Sequence, residues 1–98
     1  MDKKEIFLLT KPPHSDRAKL CLRLMERSQN AILYLAGDGV YALLEDSLKA
    51  LPIKSILVCR EDLDARGVQA EDGVIVPSNF YEHLVRDVLS EGCQIYTF

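Results

Sequence analysis

Residues Ala31 to Leu44 read AILYLAGDGVYALL, and the way this stretch breaks decides the fold. Six apolar residues, Ala31 through Ala36, run without alternation into Gly37-Asp38-Gly39, and apolar residues then resume at Val40 with helical spacing. The pattern is a strand, a tight turn and a helix. A strand that is apolar at every position is covered on both faces, which places it at the centre of a parallel sheet with helices above and below.

On the N-terminal side of this unit, Glu5 to Thr10 (EIFLLT) is a first strand, ended by Lys11-Pro12-Pro13, because proline lacks a backbone donor and blocks helix. Ser15 is an N-cap for a helix to about Arg27, with Asp16 in its first turn. Ala18, Cys21, Leu22 and Met25 form the apolar stripe of that helix, and Leu20 and Leu24 widen it. On the C-terminal side, the helix from Val40 is expected to reach Leu51, where Pro52 stops it. Lys54 to Cys59 (KSILVC) is a third strand, and Arg60 to Ala65 a short helix halted at Gly67. Gly73 to Val76 is a fourth strand, Pro77-Ser78-Asn79 opens a helix to about Ser90, and Gln94 to Phe98 is the last strand.

Strands and helices alternate throughout, so the fold class is α/β: a three-layer α/β/α sandwich with a mostly parallel sheet of about five strands. Loops that follow the strands of such a sheet gather along one edge, where open α/β folds place their sites. That edge carries Lys11 and His14, then Asp38 with Gly39, then Cys59 and Arg60, then Ser78.

The 98 residues are the length of a single domain, one that buries only about two-thirds of the surface its unfolded chain exposes. Self-association or a partner subunit would bury more. A net charge of −3 with acids and bases interspersed argues against direct nucleic-acid binding and against an anionic membrane surface. No signal peptide or membrane span is read, and the chain is expected to be cytoplasmic. Three cysteines, Cys21, Cys59 and Cys93, lie far apart, with no C-x-x-C pair and no histidine at metal spacing, so free thiols and no zinc are expected.

DGVYALL from Asp38 and EDLDARG from Glu61 to Gly67 resemble the DsrH/TusB family of small sulfur-relay subunits, within the DsrE-like superfamily. The resemblance covers nearly the whole length. It implies a five-stranded α/β/α fold, and homo-oligomers or hetero-oligomers with related DsrE/DsrF-like subunits. It also implies persulfide transfer between sulfur donor and acceptor proteins, with no cofactor. In some members this feeds 2-thiolation of the tRNA wobble uridine, in others dissimilatory sulfur oxidation. Val58-Cys59 and Arg66-Gly67 are similar in spacing to the V-C-…-R-G pattern of the sulfur-carrying DsrE/TusD branch, while Arg60-Glu61-Asp62 follows the DsrH/TusB style. Cys21 lies close to a cysteine that some DsrH-type members carry in the first helix.

Sulfur transfer needs a reachable thiolate, and a free thiol has a pKa of about 8.5, so the protein has to stabilise the anion. Cys59, between a strand end and a helix start beside Arg60, is the first candidate. Cys21 is the second, although a cysteine within an apolar stripe also packs as a small hydrophobe. Cys93 carries no partner signal. Lys11 and His14 could attract an anionic persulfide or shuttle a proton; His83 reads as a surface residue, and Tyr34, Tyr41, Phe80 and Tyr81 as core or subunit contacts.

Two other functions stay open. One is a non-catalytic assembly subunit whose apolar faces, the second helix and the last strand among them, complete an oligomer while a partner carries the sulfur. The other is a small nucleotide-binding domain, because Gly37-x-Gly39-x-x-Ala42 follows a strand as a dinucleotide fingerprint does, with Glu61-Asp62 about twenty residues on. In the alternative reading of that turn, Asp38 caps the second helix.

Overall fold

The computed structural model describes residues 4–28, 30–44, 53–69, 74–90 and 94–98. The strands are β1 (Glu5–Leu9), β2 (Ala31–Leu35), β3 (Ile53–Val58), β4 (Val74–Ile75) and β5 (Gln94–Thr97). The α-helices are α1 (Asp16–Glu26), α2 (Arg60–Arg66) and α3 (Phe80–Leu89), and Gly37–Leu44 is a 3-10 helix. The strand order is β4-β3-β2-β1-β5, with every pairing parallel. β2 sits in the middle, and all five of its residues are buried.

Connection handedness decides which face each helix covers. The steps from β1 to β2, β3 and β4 all move the same way across the sheet, so right-handed crossovers put their helices on one face. The step from β4 to β5 runs back over the whole sheet and puts α3 on the other. Burial follows this division. Phe7, Leu9, Leu33, Leu35 and Val58 pack with Cys21 and Met25 of α1, Val40 and Leu43 of the 3-10 helix, and Leu63 of α2. Ile6, Ile32, Tyr34, Leu57 and Cys59 pack with Phe80 and Leu84 of α3.

Local chemistry sets the element ends. The Ser15 hydroxyl accepts from the Ala18 N–H at 3.2 Å, which caps α1. Gly67 ends α2 with φ +65, a conformation open to glycine because it has no Cβ. Leu20 and Leu24 turn outward, 48% and 37% exposed, so the α1 stripe is narrower than the sequence suggests. The unit after β2 also differs from expectation. Gly37 takes φ +55 and the Gly39 N–H donates to the Ala36 carbonyl at 3.0 Å, an i to i−3 bond that winds the chain as 3-10 helix three residues before Val40. Its expected continuation to Leu51 lies outside the described residues.

Tyr34 ties α3 to the sheet. Its ring is fully buried, and its hydroxyl donates to the Asp87 carboxylate and lies 3.3 Å from the His83 carbonyl. A Tyr34→Phe variant keeps the ring and deprives a half-buried carboxylate of a donor, so about 1–3 kcal/mol of stability should be lost. Urea unfolding measures it, and a midpoint equal to the parent's would show that water replaces the hydroxyl without cost.

Candidate functional site

Cys59 is the residue that joins β3 to α2. Its N–H donates to the Leu35 carbonyl at 3.1 Å, extending the β2–β3 ladder by one bond, and its carbonyl accepts from the Leu63 N–H at 3.1 Å as α2 begins. Its side chain makes no capping bond. The thiol falls on the α3 face of the sheet, 5% exposed, at the base of a cleft of about 540 Å³. One wall is α2, with Arg60 and Glu61 of its first turn and Asp64 of the next; the other is the entry to α3, Pro77 through Glu82.

Opposing influences act on the thiol. Burial, the largest, pushes the Cys59 pKa up, and the Asp62 carboxylate adds to this; the backbone N–H groups of Asp62 and Glu61 pull the other way without reversing it. Cys59 therefore rests as a thiol with anion-stabilising donors beside it. Tyr81, whose ring meets Phe80 edge-on at 5.1 Å, stands at the cleft 59% exposed, and its phenol is pushed up by partial burial, then by Cys59 once that thiol is ionised, and by the charges of Asp62 and Glu61.

Asp62 fastens the base of the site. Its carboxylate accepts from the Gly37 N–H at 2.7 Å and lies 3.5 Å from Nη1 of Arg66, whose Nε donates to Asp38 at 3.0 Å. The turn after β2 is thereby held to α2. This revises the reading of Asp38 as a helix cap: its carboxylate reaches α2 instead. It also removes the phosphate cradle expected of a nucleotide fingerprint, since the Gly37 N–H is taken by Asp62 and the Gly39 N–H by Ala36.

The cleft brings together Cys59, Arg60 and Ser78. Lys11 and His14, exposed on the loop after β1, do not line it, and Gly39 is buried against the β1 backbone. Cys21 is fully buried in α1, its thiol 3.8 Å from the Met25 sulfur, and burial pushes it up to about 12. Cys93 lies outside the described residues. Asp62, Arg66, Phe80 and Tyr81 were not singled out as site residues from the sequence. The signal available for the last two was an aromatic pair directly after Pro77-Ser78-Asn79, at a helix start on the functional edge.

A family model described as DsrH like protein matches residues 11–92. The chain belongs to the DsrH-like family. This is a sulfur-relay family, and its members generally work in sulfur-relay complexes. Among solved structures, the ychN protein from E. coli is similar to this DsrH-like chain over 100% of both chains, with a TM-score of 0.71 and 23% identity, a likeness of fold. No curated protein matches the chain. Among the described residues, no helix of this DsrH-like protein is long and apolar enough to cross a membrane.

Proposed function

We propose that this DsrH-like chain passes persulfide sulfur between proteins and that Cys59 carries it. The observation behind the reading is that, of the two described cysteines, Cys59 lines a cleft on the strand-end edge while Cys21 is sealed in the core. In the transfer, Cys59 loses its proton and attacks the outer sulfur of a donor persulfide. A sulfur–sulfur bond forms at Cys59 as the donor's breaks, and the electron pair leaves on the donor thiol, which takes up a proton. There is no net oxidation. An acceptor thiol then repeats the step on the Cys59 persulfide.

Roles for the neighbours follow from geometry. The N–H groups of Glu61 and Asp62 offer hydrogen bonds to the anion as it forms, and Asp62, held by Gly37 and Arg66, fixes the first turn of α2 that presents them. Because the resting pKa lies above its ordinary value, the exchange rate should climb as pH rises through the alkaline range. The deciding measurement is intact mass after incubation with a persulfide donor, followed by peptide mapping. An added sulfur atom on Cys59, removed by reductant and absent from a folded Cys59→Ser variant, is the expected result. No adduct at Cys59, with the thiols reduced beforehand, overturns it.

One observation favours a second reading, a subunit whose partner carries the sulfur. Tyr81, Val85 and Leu89 form an apolar strip along α3, each 55–78% exposed. Sulfur found on a related partner subunit, with Cys59 unmodified in the complex, would install that reading. A cytoplasmic location and oligomers with DsrE/DsrF-like subunits belong to both.

A further inference from the structure

The charged groups on the rim of the Cys59 cleft are mostly of one sign. Glu61 and Asp64 on the α2 wall and Glu82 on the α3 wall set three carboxylates against the single guanidinium of Arg60. Arg60 lies one helical turn from Asp64, yet among the described residues no ion pair joins them, and none neutralises Glu61. Among the described residues Glu82 accepts from a neutral donor, the Asn79 amide at 2.9 Å, and forms no ion pair with Arg86 one turn along α3. Asp62, whose charge also reaches the Cys59 thiol, shares Arg66 with Asp38. The cleft also offers a half-exposed aromatic ring, Tyr81, beside these carboxylates. A ring face and a carboxylate side by side suit a guanidinium or ammonium group, which each attracts by different physics.

We propose that the cleft selects its exchange partner by charge: the cysteine that meets Cys59 is one flanked by arginine or lysine on an exposed protein segment, and thiols or persulfides of anionic peptides are disfavoured. This inference rests on the reading of Cys59 as the exchanging residue and names the class of partner that reaches it. The volume of about 540 Å³ accommodates a few side chains of an extended segment rather than a folded surface. Three rim carboxylates act on an incoming charge before contact, so the selection appears mainly in the rate of encounter and weakens with salt.

A matched pair of probes tests this without requiring that sulfur be carried. The tripeptides Arg-Cys-Arg and Glu-Cys-Glu, each as its 2-pyridyl disulfide, present the same leaving group. The Cys59 thiolate attacks the peptide sulfur, the mixed disulfide forms, and 2-thiopyridone leaves with the electron pair and is read by absorbance, while peptide mapping assigns the product to Cys59. The arginine peptide should react with Cys59 about tenfold faster at an ionic strength of about 0.01 M, and the ratio should fall several-fold at about 1 M salt. In a Glu61→Lys, Asp64→Lys variant it should flatten or invert, and in the milder Glu61→Gln, Asp64→Asn variant it should shrink. Both positions are exposed, so the fold is retained. Equal rates, or a faster glutamate peptide, overturn the inference even if Cys59 takes up persulfide sulfur. A persistent charge preference in a protein that never acquires sulfur overturns carriage and leaves the selectivity standing. If Cys59 reacts with neither peptide in folded protein but does so once denatured, both ideas fall.

Discussion

A Gly39→Ala variant should lose about 3 kcal/mol or more of stability, although the change adds one methyl group and the backbone φ of Gly39 is ordinary. The cause is space. A Cβ built on Gly39 would stand 2.0 Å from the Leu9 carbonyl oxygen and 2.7 Å from its carbon. Neither atom belongs to a side chain that could swing aside. Leu9 ends β1, which is bonded to β2 on one side and β5 on the other, and its carbonyl also accepts from the Ala36 N–H at 3.1 Å. Relief therefore requires moving the 3-10 helix away from the sheet, and with it the buried side chains of Val40 and Leu43. A domain of this size has only about 5–15 kcal/mol to lose, and its melting temperature should fall by about 12 °C or more. Calorimetry measures the shift. A melting temperature within a few degrees of the parent would mean that the helix is not pressed on Leu9. The same result bears on function, because a glycine placed for close approach to a strand needs no phosphate to explain it.

The second large effect is alkaline and belongs to Cys21. In the folded chain burial holds this thiol protonated up to about 12, whereas in the unfolded chain it ionises near its ordinary 9.0. Between those values the unfolded state has released a proton that the folded state keeps, so the slope of unfolding free energy with pH is negative. Stability attributable to Cys21 is fully present below pH 9 and falls by up to about 1.4 kcal/mol per unit as pH rises, about 4 kcal/mol if followed to pH 12. Other groups titrate in the same range, so the comparison is with Cys21→Ala. That variant should be weaker at pH 8 by about 1–2 kcal/mol from the lost packing, and the difference should narrow and change sign as pH climbs. Urea midpoints from pH 8 to about 10.5 decide the matter. A difference that stays constant with pH would show that water reaches the thiol.

Much of the fold was legible because its signals are local. β2 declared itself as an unbroken apolar run before a glycine turn, α1 through Ser15 and the spacing of Ala18, Cys21 and Met25, and α2 through its stop at Gly67. What stayed hidden depends on residues far apart in sequence. Val40, Ala42 and Leu43 present the same apolar spacing to a 3-10 helix as to an α-helix, and the tighter winding begins at the Gly39 N–H to Ala36 carbonyl bond, which apolar spacing does not record. Asp62 meets Gly37 across 25 positions and Arg66 meets Asp38 across 28, so nothing near Asp38 distinguished a helix cap from a tie to α2. Cys59 and Ser78 could be placed on one edge, but the wall from Pro77 through Glu82 closes on the Cys59 face because the chain returns across the sheet before β5. Strand order of that kind has no local signature.

That return path has a dynamic side. One face of the sheet is shielded by α1, α2 and the 3-10 helix, the other in the described residues by α3, with the Tyr34 hydroxyl among its fastenings. Partial opening of a protein proceeds through the unit with fewest ties, at a free energy below that of global unfolding. Lifting α3 uncovers Cys59 and leaves the Cys21 side shut. Access to Cys59 of reagents too large for the cleft should therefore follow amide exchange in α3 rather than exchange in β2, and the two thiols of one small domain would keep separate clocks.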